Sequence, residues 1–142
     1  LEGADDPHGW QSPLNAIRYV ANIRDGLCAA APAQCDGFRA RAAAYAAELE
    51  ALDRDLAGRF GAVAADRRRI VTSHDAFGYL AQRYGITISD PRLMDMIARE
   101  TGAKLGGELY SDALSLADGP APDYVSLMRH NAGLLLGAMT AQ

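Results

Sequence analysis

Three histidines and, from among the acidic residues, Asp112 are the candidate metal-chemistry side chains of this sequence. His8 lies in D-P-H-G-W (Asp6 to Trp10) and His74 in V-T-S-H-D-A-F-G-Y-L (Val71 to Leu80). Asp112 lies in L-Y-S-D-A-L-S (Leu109 to Ser115), and His130 in Y-V-S-L-M-R-H-N (Tyr124 to Asn131). Two imidazoles and one carboxylate form a donor set for a divalent transition metal, because nitrogen-rich ligation suits zinc and its neighbours better than calcium or magnesium. Pro7 stiffens the backbone before His8 and Trp10 offers an apolar wall, which together can hold an imidazole in one orientation for an ion. The competing reading of His8 is a loop histidine packed on Trp10. His74 falls at the C-terminal end of a short strand, where ligand sites gather in open α/β sheets; alternatively it serves only the fold. Asp112 follows the last strand candidate and can approach the same edge, or is simply a turn residue. His130 reads as a partly exposed helical residue. These segments lie too far apart in sequence for any local-finger rule.

Other chemistries lack a motif. No P-loop, G-x-G-x-x-G or G-x-S-x-G occurs, and the adjacent Ser73 and His74 cannot form a nucleophile–base pair. An enzyme is not expected. A metal-dependent hydrolase would need a general base beside the ion, and Asp75, the near candidate, reads as the cap of the helix it begins. With 14 Lys+Arg against 18 Asp+Glu the formal charge is -4, which leaves no basic surplus for nucleic acid. Arg67-Arg68-Arg69 reads as a solvated loop. A hydrophobic content of 49% with 23% charged residues excludes a disordered chain, and no apolar stretch approaches the ~20 residues that span a bilayer. Length alone fits one globular unit. Cys28 and Cys35 either form one disulfide across a helix–helix turn at Pro32, as an oxidising compartment would allow, or remain two small buried thiols.

The elements that must position these residues can be read from caps and periodicity. Ser12-Pro13 starts a helix carrying Leu14, Ile17, Val20 and Leu27, with Gly26 and Pro32 marking its end. A long spine helix follows from about Asp36 to Phe60. Its apolar stripe is Phe38, Ala42, Tyr45, Leu49, Leu52 and Leu56, and Arg39, Arg41, Glu48, Glu50, Asp53 and Arg54 lie on the other side. Arg69 to Thr72 is a buried strand, Ala76 to Tyr84 a helix closed by Gly85, and Ile86 to Ile88 a second strand. Asp90-Pro91 caps a helix bearing Leu93, Met94, Ile97 and Ala98. Lys104-Leu105 and Leu109-Tyr110 are short strand candidates, Asp118 to Asp123 is a loop, and a final amphipathic helix contains Tyr124, Leu127, Met128, Leu134 and Leu135. Strands alternating with helices imply an α/β layer with parallel pairing.

Taken in order, D-P-H-G-W, V-T-S-H-D-A-F-G-Y-L-A-Q-R-Y-G-I, L-Y-S-D-A-L-S and Y-V-S-L-M-R-H-N resemble the zinc/manganese solute-binding proteins of bacterial ABC importers over nearly the whole chain. The resemblance implies an α/β, helix-rich fold in which a long spine helix joins the end of one lobe to an abbreviated C-terminal α/β lobe. Residues 1–34 would end the N-terminal lobe, 35–61 form the linking spine, and 62–142 form the metal-binding lobe. It also implies that His8, His74 and Asp112 are metal ligands, while His130 matches no ligand position. Histidine rather than glutamate at position 74 resembles zinc-binding members, so Zn2+ is expected with Mn2+ as the alternative. The implied protein is periplasmic, or lipid-anchored outside the cytoplasmic membrane, and delivers its ion to an ABC permease. Two departures stand out: most of the N-terminal lobe before D-P-H-G-W, and a helix and strand between Ser89 and Asp90, have no counterpart. They motivate a second reading, a truncated structural or interaction module that has lost transport and self-associates through an exposed spine helix.

Overall fold

Proline at the first helical position opens the first helix where the sequence places it. In the computed structural model, which describes residues 6–89 and 106–140, α1 spans Pro13–Ala30 with Ser12 at its N-cap. It runs through Gly26 rather than ending there. A short 3-10 turn over Pro32–Gln34 leads into the spine, α2, Cys35–Gly61. Cys28 and Cys35 form a disulfide across this turn, which resolves the two alternatives for the thiols and suits an oxidising compartment. Because the bridge closes a short loop in the unfolded chain, its reduction should cost about 2 kcal/mol. A lowered melting temperature in dithiothreitol would show this, and an unchanged one would count against it.

The spine changes character along its length. Its C-terminal half buries Leu49, Leu52, Leu56 and Phe60 in the main core. Its N-terminal half packs against α1, with Phe38, Ala42 and Tyr45 facing Val20, Ile23 and Leu27 across an apolar groove. The stripe is therefore split between a core and a groove rather than being one exposed face. One residue assigned to the solvent side is corrected. Asp53 is buried, because its carboxylate accepts hydrogen bonds from Arg83 Nε at 2.8 Å and Nη2 at 2.5 Å. It also accepts one from the Tyr84 hydroxyl at 3.2 Å.

Beyond the spine, β1 (Arg69–Val71) pairs in parallel with β2 (Thr87–Ser89), in the register Arg69 with Thr87, Ile70 with Ile88 and Val71 with Ser89. The connecting helix α3 spans Gly78–Tyr84 and ends at Gly85, whose φ of 65° is the left-handed conformation that glycine adopts freely. It starts two residues later than expected. The Thr72 hydroxyl and the Ala76 N–H both donate to the His74 carbonyl, which turns the chain before the helix begins. Asp75 therefore does not cap it; Phe77 occupies that position.

The arginine triplet is also not a solvated loop. Arg68 donates to the Tyr84 carbonyl at the end of α3, Arg67 donates to the Thr140 carbonyl, and Arg69 starts β1. These are the exposed carbonyls that a helix C-terminus offers to cations. The final helix, α4, spans Tyr124–Thr140 and buries Val125, Leu127, Met128, Asn131, Ala132, Leu135 and Met139. The chain is thus α/β and helix-rich, as expected.

Leu109-Tyr110 forms no strand. The Tyr110 N–H donates to Asn131 Oδ1 at 2.9 Å, and Asn131 Nδ2 donates back to the Tyr110 carbonyl at 2.6 Å. A buried amide on α4 thus supplies both bonds that a neighbouring strand would otherwise give. The helix expected after Asp90-Pro91 and the Lys104-Leu105 strand lie outside the described residues.

Two phenols are held above their ordinary range. Tyr84 is raised by burial and then by the Asp53 charge, and Tyr124 is raised chiefly by burial. Because both stay protonated in the folded state to a higher pH than when unfolded, their contribution is intact below about pH 10 and is lost above it. Stability should fall by about 1.4 kcal/mol per pH unit per phenol in that range. Alkaline denaturation of Tyr124→Phe should show a shallower decline; an equal slope would refute the assignment for Tyr124.

Candidate metal centre

His8 sits just before a short 3-10 turn, Gly9–Gln11, which hands the chain to α1. His74 stands in the turn after β1, and Asp112 in the loop that precedes α4. The fold brings all three together: one candidate ligand atom from each lies within 4.8 Å of the others. Asp112 stands between the two rings, with Oδ1 3.4 Å from His8 Nε2 and Oδ2 3.0 Å from His74 Nε2. The rings meet edge-on, their centroids 5.2 Å apart at 89°. Donors on a tetrahedral zinc at about 2.0–2.1 Å stand about 3.3 Å apart, so these spacings suit one ion held between them. His8 is largely covered, while His74 and Asp112 are each about half exposed, which leaves the site open on one side.

Several residues position this set. Trp10 packs against His8 with ring centroids 5.4 Å apart, the apolar wall expected from sequence. Its indole also donates to the Ser111 carbonyl at 2.9 Å, and Gln11 Nε2 donates to the same oxygen at 3.0 Å. These two bonds fasten the Asp112 loop to the turn that carries His8. The Tyr124 hydroxyl donates to the Trp10 carbonyl at 2.6 Å, tying α4 to the same turn. Ser111 Oγ donates to Asp112 Oδ2 at 2.7 Å. That bond, aided by His74 and His8, holds the Asp112 carboxyl below its usual range, so it remains a ready anionic donor in mild acid.

His130 lies elsewhere on α4, 3.3 Å from the Glu108 carbonyl and edge-on to Tyr110. Gln11, Ser111 and Asn131 were not singled out from sequence. Their partners lie many residues away and leave no local signal. Asp6 Oδ1 accepts the His8 backbone N–H at 2.9 Å, and an aspartate two residues before its partner is a local pattern that sequence can show.

Comparison with known proteins identifies the family of the chain. The family model for ZnuA, described as zinc-uptake complex component A, periplasmic, matches residues 2–90. The chain belongs to the ZnuA family. A relative within reach of it is the iron-binding protein YfeA of Yersinia pestis, 34% identical, with 89% of this chain and 52% of that protein covered. Among solved structures, the periplasmic zinc-binding protein TroA of Treponema pallidum superposes with a TM-score of 0.85 at 27% identity, covering 98% of this chain and 66% of TroA. The Mn-bound periplasmic metal-binding protein of Candidatus Liberibacter asiaticus does so with a TM-score of 0.85 at 26% identity, covering 97% and 65%.

The chain spans about half the length of the curated relatives it matches. The YfeA alignment runs over 163 positions, more than the 142 residues here, so YfeA holds residues within the aligned region that have no counterpart in this chain. The shortening expected after Ser89 requires such residues. ZnuA-family proteins are binding proteins of ABC importers rather than enzymes, and they work outside the cytoplasmic membrane. No helix among the described residues is long and apolar enough to cross a membrane.

Proposed function

We propose that this chain captures a divalent transition metal outside the cytoplasmic membrane and presents it to an ABC permease. His8, His74 and Asp112 are its ligands. The observation that carries this reading is the convergence of those three side chains, from separate segments, to within 4.8 Å. Zinc is the favoured ion, because two neutral imidazoles and one carboxylate give a nitrogen-rich set with borderline softness. Manganese is the alternative, and similar proteins named for iron or zinc or solved with manganese bound make the metal series the informative experiment. Among the described residues these three side chains supply the donors.

Calorimetric titration with zinc, manganese and ferrous iron tests the reading. Zinc should bind with a stoichiometry of one, and His74→Ala should weaken it by at least the roughly 10- to 100-fold that loss of a residue supporting a ligand typically costs. Affinity should also decline on acidification, because each imidazole must be unprotonated to ligate. Unchanged zinc affinity in His74→Ala would overturn the site.

A further inference from the structure

We propose that Asp6 is a positioning residue that fixes the His8 ring in the one tautomer able to ligate through Nε2. The proposal rests on His8 being a metal ligand. Asp6 Oδ1 lies 2.7 Å from His8 Nδ1 and also accepts the His8 backbone N–H at 2.9 Å. A carboxylate only accepts, so Nδ1 carries the proton in this contact and the lone pair of a neutral ring falls on Nε2. Nε2 is the nitrogen that faces Asp112 and the centre of the cluster. Two carboxylates compete for the single ring proton, and distance decides between them: 2.7 Å to Asp6 against 3.4 Å to Asp112. The backbone bond holds Oδ1 in place independently of the ring.

A second observation points to the same carboxylate. At Gly78, the first residue of α3, an added Cβ would stand 2.8 Å from Asp6 Oδ2. That contact is shorter than side chains normally make, so Asp6 Oδ2, the free end of the carboxylate, would have to shift. Glycine at this position leaves room for the Asp6 side chain to reach His8, and helical backbone there would otherwise accept alanine. A histidine ligand whose other nitrogen is held by a carboxylate is oriented before the ion arrives, and removing such partners typically lowers metal affinity about 10- to 100-fold.

Nitrogen-detected NMR of the His8 ring in metal-free protein, followed through the alkaline range where the ring is neutral, reads the tautomer directly. Wild type should show Nδ1–H, Asp6→Ala a mixture with Nε2–H, and Asp6→Asn, whose amide oxygen can accept the same bond, a return towards Nδ1–H. Zinc affinity should fall about 10- to 100-fold in Asp6→Ala and recover most of that loss in Asp6→Asn. Gly78→Ala, which crowds Oδ2 rather than the bonding Oδ1, should weaken zinc less than Asp6→Ala does and add nothing to it. Asp6 is partly exposed, so thermal melts of these variants should match wild type. A tautomer unmoved by Asp6→Ala, or equal behaviour of the Ala and Asn variants, would overturn the proposal. If zinc fails to bind wild type, the cargo assignment fails, and the ring measurement still scores Asp6 by itself.

Discussion

Replacing Asp53 with alanine is expected to destabilise the fold by about 3 kcal/mol, read from urea denaturation. The carboxylate is buried on α2 and is the shared acceptor for the Arg83 guanidinium and the Tyr84 hydroxyl on α3. Removing one partner of such a pair leaves the other charge and a buried hydroxyl without their acceptor, which costs about 3–5 kcal/mol when both members are fully enclosed. Arg83 keeps about a third of its side chain exposed and can recover some hydration, which places the cost at the low end. Asp53→Asn, which keeps one acceptor oxygen and loses the charge, should fall between alanine and wild type. Arg83→Met in the Asp53→Ala background should recover part of the loss, since it removes the stranded cation. A loss below about 1 kcal/mol in Asp53→Ala would mean that the network is hydrated and contributes little.

Asp53 also marks where sequence reading reached its limit. Periodicity placed it on the polar side of the spine because an acidic residue in a helix is ordinarily exposed. Its burial depends on Arg83 and Tyr84, thirty residues along the chain, and no window over α2 contains that information. By contrast, the start of α1, the ends of α2, the parallel β1–β2 pair and the Gly85 stop are legible, because proline, glycine and β-branched runs act locally. The roles of the arginine triplet are hidden from sequence for the same reason as that of Asp53. Its partners are carbonyls at the ends of α3 and α4, which exist only once those helices are packed.

The candidate site was legible in part. Spacing could not join His8, His74 and Asp112; the motifs around them did so through the family resemblance, and the fold brings the three side chains together. The support beneath them was hidden. Trp10 reads from sequence as an apolar wall, yet its indole N–H is also half of the clamp on the Ser111 carbonyl. His8 and the tether of the Asp112 loop therefore come from the same short turn. A cluster assembled from three loops requires such ties, because loops without them have many conformations to lose on binding an ion.

Asn131 is the other tether, and its replacement by alanine should cost about 3 kcal/mol while weakening zinc by roughly tenfold. Its fully buried amide exchanges two hydrogen bonds with the Tyr110 backbone. Without it, one N–H and one carbonyl lose their partners at about 1–3 kcal/mol each, and the half-buried position of Tyr110 allows some hydration. Tyr110 lies two residues before Asp112, so freeing it loosens the loop that presents the carboxylate. The Trp10 and Gln11 bonds to Ser111 still hold the intervening residue, which is why affinity should fall modestly rather than vanish. Combining Asn131→Ala with Trp10→Phe, which removes the indole donor, should lower affinity by more than the product of the separate effects, because each tether partly covers for the other. Hydrogen exchange supplies the independent measurement: the Tyr110 amide should lose protection in Asn131→Ala and keep it in Trp10→Phe. Retained protection of Tyr110 in Asn131→Ala would mean that another acceptor holds that strand-like segment and that α4 does not anchor the Asp112 loop.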